Sequence, residues 1–235
     1  MALPKLNEVP NYELVIPSTQ EKVRFRPYLV KEEKVLMIAM ESDDQVQILN
    51  AIADTIRSCL SGDIKLDPLP TFDIEYMFLQ IRSKSVGENI SLSLKCGKCE
   101  HVNDVSIPVD DIKVEIPEIN DTVQISDEIS IKMKWPAFKS VMSKEIVNNE
   151  STTDQTFKLL AQCIDTVMTE EDRIVFRDEP QEDQMAFIES LNTEQFLKIQ
   201  DFLQAMPSLK HTIEYTCESC GHENKITLQG FNDFF

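Results

Sequence analysis

Little in this sequence equips it for catalysis on nucleotides or acyl groups. Among 235 residues there are only 5 glycines, 3 histidines and 1 tryptophan. So few glycines leave no Gly-rich loop for close backbone approach to a phosphate, and neither G-x-S-x-G nor H-E-x-x-H occurs. Basic residues are scarce as well: 23 Lys and Arg stand against 41 Asp and Glu, a formal charge of −18. That balance repels nucleic-acid backbones and anionic lipid head groups, and no local basic patch offsets it. Long apolar runs are missing; Val35 to Met40 is typical and far short of a membrane span. The opening Met1-Ala2-Leu3-Pro4-Lys5 lacks the charged-then-apolar pattern of a secretory signal, so a cytosol-like, reducing compartment is expected.

What is present is enough apolar material, 42% of residues, to bury a core. The chain also repeats itself. Leu94-Lys95-Cys96-Gly97-Lys98-Cys99-Glu100-His101-Val102-Asn103 returns as Tyr215-Thr216-Cys217-Glu218-Ser219-Cys220-Gly221-His222-Glu223-Asn224, with Cys, Cys, His and Asn in register 121 residues later. Upstream, the alternating Val23 to Tyr28 breaks at Pro27 and opens a helical pattern, and Ile131 to Phe138 does the same around Pro136. Each half reads strand, proline, helix, second helix, connection, third helix, strand, Cys-x-x-Cys, strand. The second connection is longer, an acidic loop from Thr169 to Glu182.

Helical periodicity places Ile48, Leu49, Ile52, Ile56 and Leu60 on one face, and Phe157, Leu160, Ala161, Ile164 and Met168 on another. Asp43 and Thr153 are candidate caps, Gly62 a candidate stop, and Thr71 and Asn192 caps of the third helices. The expectation is an α+β protein of internally duplicated strand–helices–strand units sharing a zinc-ribbon-like β element. It is expected to be a single domain over residues 1–235, with pseudo-repeats 11–110 and 120–230 related by a pseudo-twofold axis, since no Gly/Ser-rich linker separates them.

Four of the six cysteines fall into two Cys-x-x-Cys pairs. In a reducing compartment this spacing points to metal before disulfide, since each pair supplies half of a tetrahedral thiolate set. Two hairpin tips brought together would hold one Zn²⁺ on Cys96, Cys99, Cys217 and Cys220. Iron in a rubredoxin-like site is the competitor. Four protein ligands leave no position for substrate, so such an ion is structural and the chain is not an enzyme. A redox dithiol would need a Cys-x-x-Cys at a helix N-terminus, whereas these pairs lie between strands. His101 and His222 either back the sulfurs or sit in solvent, and Cys59 and Cys163 read as core. Acidic clusters such as Glu170-Glu171-Asp172 read as solvated faces. The aromatics Phe231, Phe234 and Phe235 either pack on the parent core or contact a partner.

Several stretches resemble the T4-like bacteriophage baseplate protein family. They are Leu3 to Asn7, Tyr12 to Ser18, Arg26-Pro27-Tyr28-Leu29-Val30-Lys31-Glu32-Glu33-Lys34, Met40-Glu41-Ser42, Cys217 to Asn224, and Phe231 to Phe235. The resemblance spans nearly the whole chain. It implies a hub subunit or hub assembly factor of a contractile-tailed phage that binds other hub and tail proteins and no small-molecule substrate. It would be found in the host cytoplasm during assembly and then in the tail baseplate of the virion. The alternatives are a zinc-ribbon adaptor and an assembly chaperone not retained in the particle. The zinc assignment comes from the cysteine spacing and not from the resemblance.

Overall fold

The computed structural model describes residues 9–42, 44–118, 120–142 and 152–230. Its class is α+β: helices and strands are both plentiful, and the strand pairings among the described residues are antiparallel. The chain divides into two compact units. The first takes the described residues up to Leu66, then Phe72–Glu115 and 208–230; the second takes Asp67–Thr71 and Ile116–Pro207. The unit boundary therefore does not follow the boundary between the sequence repeats. The last hairpin of the second repeat belongs to the first unit.

In the first unit β1 (Tyr12–Val15) and β2 (Lys22–Phe25) form a hairpin with Tyr12 opposite Phe25, and β3 (Leu60–Ser61) adds to the free side of β2. Pro27 ends this strand path, and α1 (Val30–Glu41) follows. Its first turn is closed by Glu32, whose Oε2 accepts from the Leu29 amide at 2.9 Å. The second helix, α2 (Gln45–Cys59), is capped by Asp44, which accepts from the amides of Val46 and Gln47 at 2.9 and 3.2 Å. The expected cap Asp43 lies outside the described residues. The helix passes straight into β3, so Leu60 is a strand residue and Gly62, at φ +104°, follows the strand instead of stopping the helix. The third helix, α3 (Thr71–Val86), buries Phe72, Met77, Phe78, Leu79 and Ile81.

The remaining strands of this unit are two hairpins. The first joins β4 (Asn89–Lys95) to β5 (Val102–Pro108). The second joins β11 (Leu209–Thr216) to β12 (Glu223–Gln229), with the two-residue β6 (Lys113–Val114) beside β11. Inward and outward residues alternate along them, and Ile90, Ile107, Leu209, Ile213 and Leu228 close into one apolar cluster with Leu79 of α3.

The second unit is a sheet in the order β10-β9-β8-β7, made of β7 (Thr122–Gln124), β8 (Ser130–Met133), β9 (Ile164–Met168) and β10 (Arg173–Val175). The short α4 (Phe138–Val141) follows β8, and α5 (Thr152–Cys163) runs directly into β9. Ile164 and Met168 thus leave the helix face on which periodicity placed them and lie in β9. The side chain of the expected cap Thr153 lies outside the described residues. The acidic loop expected from Thr169 to Glu182 is structured: the Thr169 amide bonds the Asp172 carbonyl at 2.9 Å, β10 pairs back on β9, and α6 (Gln181–Glu189) begins inside the segment. Asn192 caps α7 (Thr193–Gln204) through the Gln195 amide at 2.9 Å. Ile131, Leu160, Cys163, Ile164, Phe176, Ile188, Ile199 and Phe202 form the core, and Trp135 stacks on Phe202 with ring centroids 4.3 Å apart.

The same local device occurs in both units. One residue after β2 the Arg26 amide bonds the carbonyl of Cys59, which ends α2, at 3.0 Å; one residue after β8 the Lys134 amide bonds the carbonyl of Cys163, which ends α5, at 2.7 Å.

Candidate metal centre

Both Cys-x-x-Cys pairs occupy the turns of seven- to eight-residue hairpins, β4–β5 and β11–β12. Each turn is built by the same two backbone bonds. The Cys96 amide donates to the His101 carbonyl at 2.9 Å and the Glu100 amide to the Cys96 carbonyl at 3.0 Å; in the other turn Cys217 bonds His222 and Gly221 bonds Cys217, both at 2.9 Å. Closing so tight a turn puts one residue in the left-handed region: Gly221 has φ +67° and Glu100, at the matching position, φ +59°. Glycine takes that conformation without penalty, whereas glutamate does not.

The turns bring four thiols together. The ligating atoms of Cys96, Cys99, Cys217 and Cys220 all lie within 4.8 Å of one another. Across the hairpins Cys96 Sγ is 3.8 Å from Cys220 Sγ, and Cys99 Sγ is 3.6 Å from Cys217 Sγ. All four are free thiols; Cys96 and Cys217 are buried, and Cys99 and Cys220 face outward. The Lys98 amide points at Cys96 Sγ from 3.4 Å, which with other N–H donors pulls this thiol down to about 6. The His101 amide likewise favours the thiolate of Cys99, yet the crowd of neighbouring sulfurs outweighs it and pushes Cys99 up to about 12. Four thiols this close cannot all ionise without a compensating cation. This all-sulfur set of donors could hold a soft metal ion.

A second layer surrounds the sulfurs. Asn103 and Asn224 are buried, on the inward rows of β5 and β12. Asn103 Nδ2 donates to the His101 carbonyl and Asn224 Nδ2 to the His222 carbonyl, each at 3.0 Å. Their Oδ1 atoms reach across: Asn103 accepts from the Glu218 amide at 2.9 Å and Asn224 from the Gly97 amide at 3.0 Å. His101 and His222 contribute backbone carbonyls while their side chains are exposed. Spacing shows that both asparagines recur, but not what they bond. Cys59 and Cys163 are core residues, with burial lifting their thiols to about 11 and about 12. Phe231, Phe234 and Phe235 lie outside the described residues.

A profile of the T4 bacteriophage base plate protein family matches residues 9–235, nearly the entire chain. The chain belongs to the T4 bacteriophage base plate protein family. No curated protein and no solved structure matches it significantly. A base plate protein is a structural part of a phage tail and works in contact with other phage proteins, which agrees with a sequence lacking catalytic motifs. Among the described residues no helix of this base plate protein is long and apolar enough to cross a membrane. Among the described residues the cysteine cluster at its two Cys-x-x-Cys hairpins is a group that could hold a metal ion.

Proposed function

We propose that this base plate protein is a structural or assembly component of the central hub of a contractile-tailed phage baseplate, acting by protein–protein binding. The match of the base plate family over residues 9–235 carries this reading. One structural Zn²⁺ on Cys96, Cys99, Cys217 and Cys220 would clamp the shape that its partners recognise. A regular tetrahedron with Zn–S bonds of about 2.3 Å has S···S edges of about 3.8 Å. The cross-hairpin separations of 3.8 and 3.6 Å match two of those edges, and all four sulfurs lie within 4.8 Å of one another, which supports that reading. A four-thiolate shell is closed to substrate, which suits a clamp and not a reaction centre.

The two halves, 11–110 and 120–230, are read as duplicated units. The repeated Cys-x-x-Cys turns, the sheet orders β1-β2-β3 and β7-β8-β9, and the matching bonds at Cys59 and Cys163 support this. Phe231, Phe234 and Phe235 are proposed to contribute to a partner contact, because three aromatics in five residues are costly to leave in water. Assembly would take place in the host cytoplasm. The test is mass spectrometry of purified particles, together with co-purification of the tagged chain with other tail proteins from infected cells. Stoichiometric presence in both supports a hub subunit. Co-purification with hub proteins but absence from particles identifies an assembly factor not retained in the virion. Absence from both refutes the proposal.

A further inference from the structure

We infer that Asn103 and Asn224 form a reciprocal latch that docks the two Cys-x-x-Cys turns without help from an ion, so that the four-sulfur site is assembled before metal enters. The effect on metal affinity rests on reading the cysteines as a metal site; the latch itself does not.

Residues 103, 105 and 107 of β5 and 224, 226 and 228 of β12 form the inward rows of the two hairpins, apolar except at the end nearest the turns, where each row places an asparagine. A carboxamide buried there must find partners for both ends. Each finds its donor's partner in its own turn, the His101 or His222 carbonyl, and its acceptor's partner in the opposite turn, the Glu218 or Gly97 amide. These two cross-bonds are symmetry copies, since Asn103 and Asn224, like Gly97 and Glu218, stand 121 residues apart. The amides that are bound immediately follow Cys217 and Cys96. Fixing them sets where the sulfurs point, and Asn224 Nδ2 also lies 3.6 Å from Cys96 Sγ.

The chemistry demands asparagine. Aspartate offers no donor for the carbonyl, and glutamine is one methylene too long for a space in which both asparagines are more than nine-tenths buried. Asn103 and Asn224 are thus positioning residues: they ligate nothing but hold the ligands' backbone in a receptive arrangement. A preassembled site does not lose binding free energy to the ordering of two separate loops when the ion arrives.

The test uses the full chain and the variants Asn103→Leu and Asn224→Leu, which keep the approximate shape and remove every hydrogen bond. In competition against a chromophoric chelator each variant should bind zinc roughly 10- to 100-fold more weakly than wild type. A second readout needs no metal. Chelator-treated protein is oxidised mildly with diamide, which takes two electrons and two protons from each thiol pair and becomes the hydrazine, and the disulfides are mapped by mass spectrometry. Wild type should give the cross-hairpin pairs Cys96–Cys220 and Cys99–Cys217. Both variants should shift to the within-turn pairs Cys96–Cys99 and Cys217–Cys220.

Unchanged zinc affinity in both variants overturns the inference, as do within-turn pairs in metal-free wild type. So does loss of the folded circular dichroism spectrum in both variants at saturating zinc, which would make the asparagines fold determinants and not positioning residues. A chain that binds no zinc sinks the metal reading alone, because the bridging pattern still decides whether the latch exists.

Discussion

Asp73 is a carboxylate with no exposed surface, in the first turn of α3, and it offers a sharp test of the energetics of this fold. Its Oδ1 accepts from the Ser18 amide at 3.0 Å, and its Oδ2 accepts from the Ser18 hydroxyl, tying the turn after β1 to the third helix. Burial raises its pKa above the ordinary 3.8, and the two bonds from Ser18 only partly oppose this. An acid whose folded pKa lies above its unfolded value binds more protons when folded. Stability is therefore greatest below about 3.8 and is lost as pH rises from there through the folded value. The carboxamide introduced by Asp73→Asn would imitate the protonated acid: its oxygen still accepts from the amide, and its nitrogen can donate to the hydroxyl. Asp73→Asn should thus be more stable than wild type at pH 7, by about 1.4 kcal/mol for each unit of upward shift. Asp73→Ala, which removes both acceptors of the exposed Ser18, should be less stable by about 0.5–1.5 kcal/mol for each bond lost. Urea unfolding of the three proteins between pH 4 and 8 measures both effects, and other titrating groups cancel in the differences. Wild-type and Asp73→Asn curves that stay parallel across this range, or an Asp73→Asn variant less stable at pH 7, would refute the reasoning.

Four further outcomes are expected. Glu100→Gly should raise stability by about 0.5–1 kcal/mol by relieving its left-handed backbone, and Gly221→Ala should lower it by about 1 kcal/mol; thermal melts compare the two. Elemental analysis should find zinc in wild type and none in the double variant Cys217→Ser/Cys220→Ser, which should also lose several kcal/mol of stability; equal metal content in the two proteins would contradict the site. Glu32 is largely buried and paired with Arg26 at 2.8 Å; burial raises its pKa, but the Arg26 bonds and the Leu29 amide outweigh this and hold it below 4.5. That contribution is present above about 4.5 and lost as pH falls through the lowered value, and Glu32→Ala should cost about 3 kcal/mol in denaturant unfolding at pH 7. Deleting residues 231–235 should weaken co-purification with hub proteins while leaving the melting temperature unchanged; the reverse result would assign those aromatics to the protein's own core.

The cysteine cluster was legible in the sequence because metal ligation imposes a spacing that strands and turns cannot disguise. Both hairpins follow from alternation in Ile90 to Leu94 and Ile226 to Leu228, and they run only one to three residues beyond those bounds. Helix-to-strand transitions were harder to read. Cys163 and Ile164 are both buried, so the apolar pattern runs without interruption from α5 into β9 and marks no boundary. The segment after β9 escaped for the opposite reason. Arg173–Val175 is exposed throughout, and in α6 the apolar Phe187 and Ile188 are adjacent, so neither has a clear period. Asn103 and Asn224 stood in the repeat all along. A sequence shows that an amide recurs, but only the fold shows that its acceptor finds a donor 115 or 127 residues away.

That distance bears on what an ion at the four cysteines would do for a base plate protein. The cross-hairpin sulfur pairs are 124 and 118 residues apart, and closing a loop of about 100 residues removes about 4.7 kcal/mol of chain entropy from the unfolded state in the simplest treatment. That is comparable to much of the roughly 5–15 kcal/mol by which ordinary domains are stable. The apolar cluster beneath the turns already holds Leu79 of α3 against both hairpins, so the latch and any ion act on a joint whose parts are in place. The division of labour follows from the physics of each contact. Apolar burial brings β11–β12 onto the rest of the first unit but is tolerant of small displacements. Directional amide bonds then fix the approach of the two turns, and an ion on the four cysteines would lock it. A base plate protein needs a fixed surface more than a mobile one, because misplacing a contact patch by an ångström loses the packing on which an interface depends.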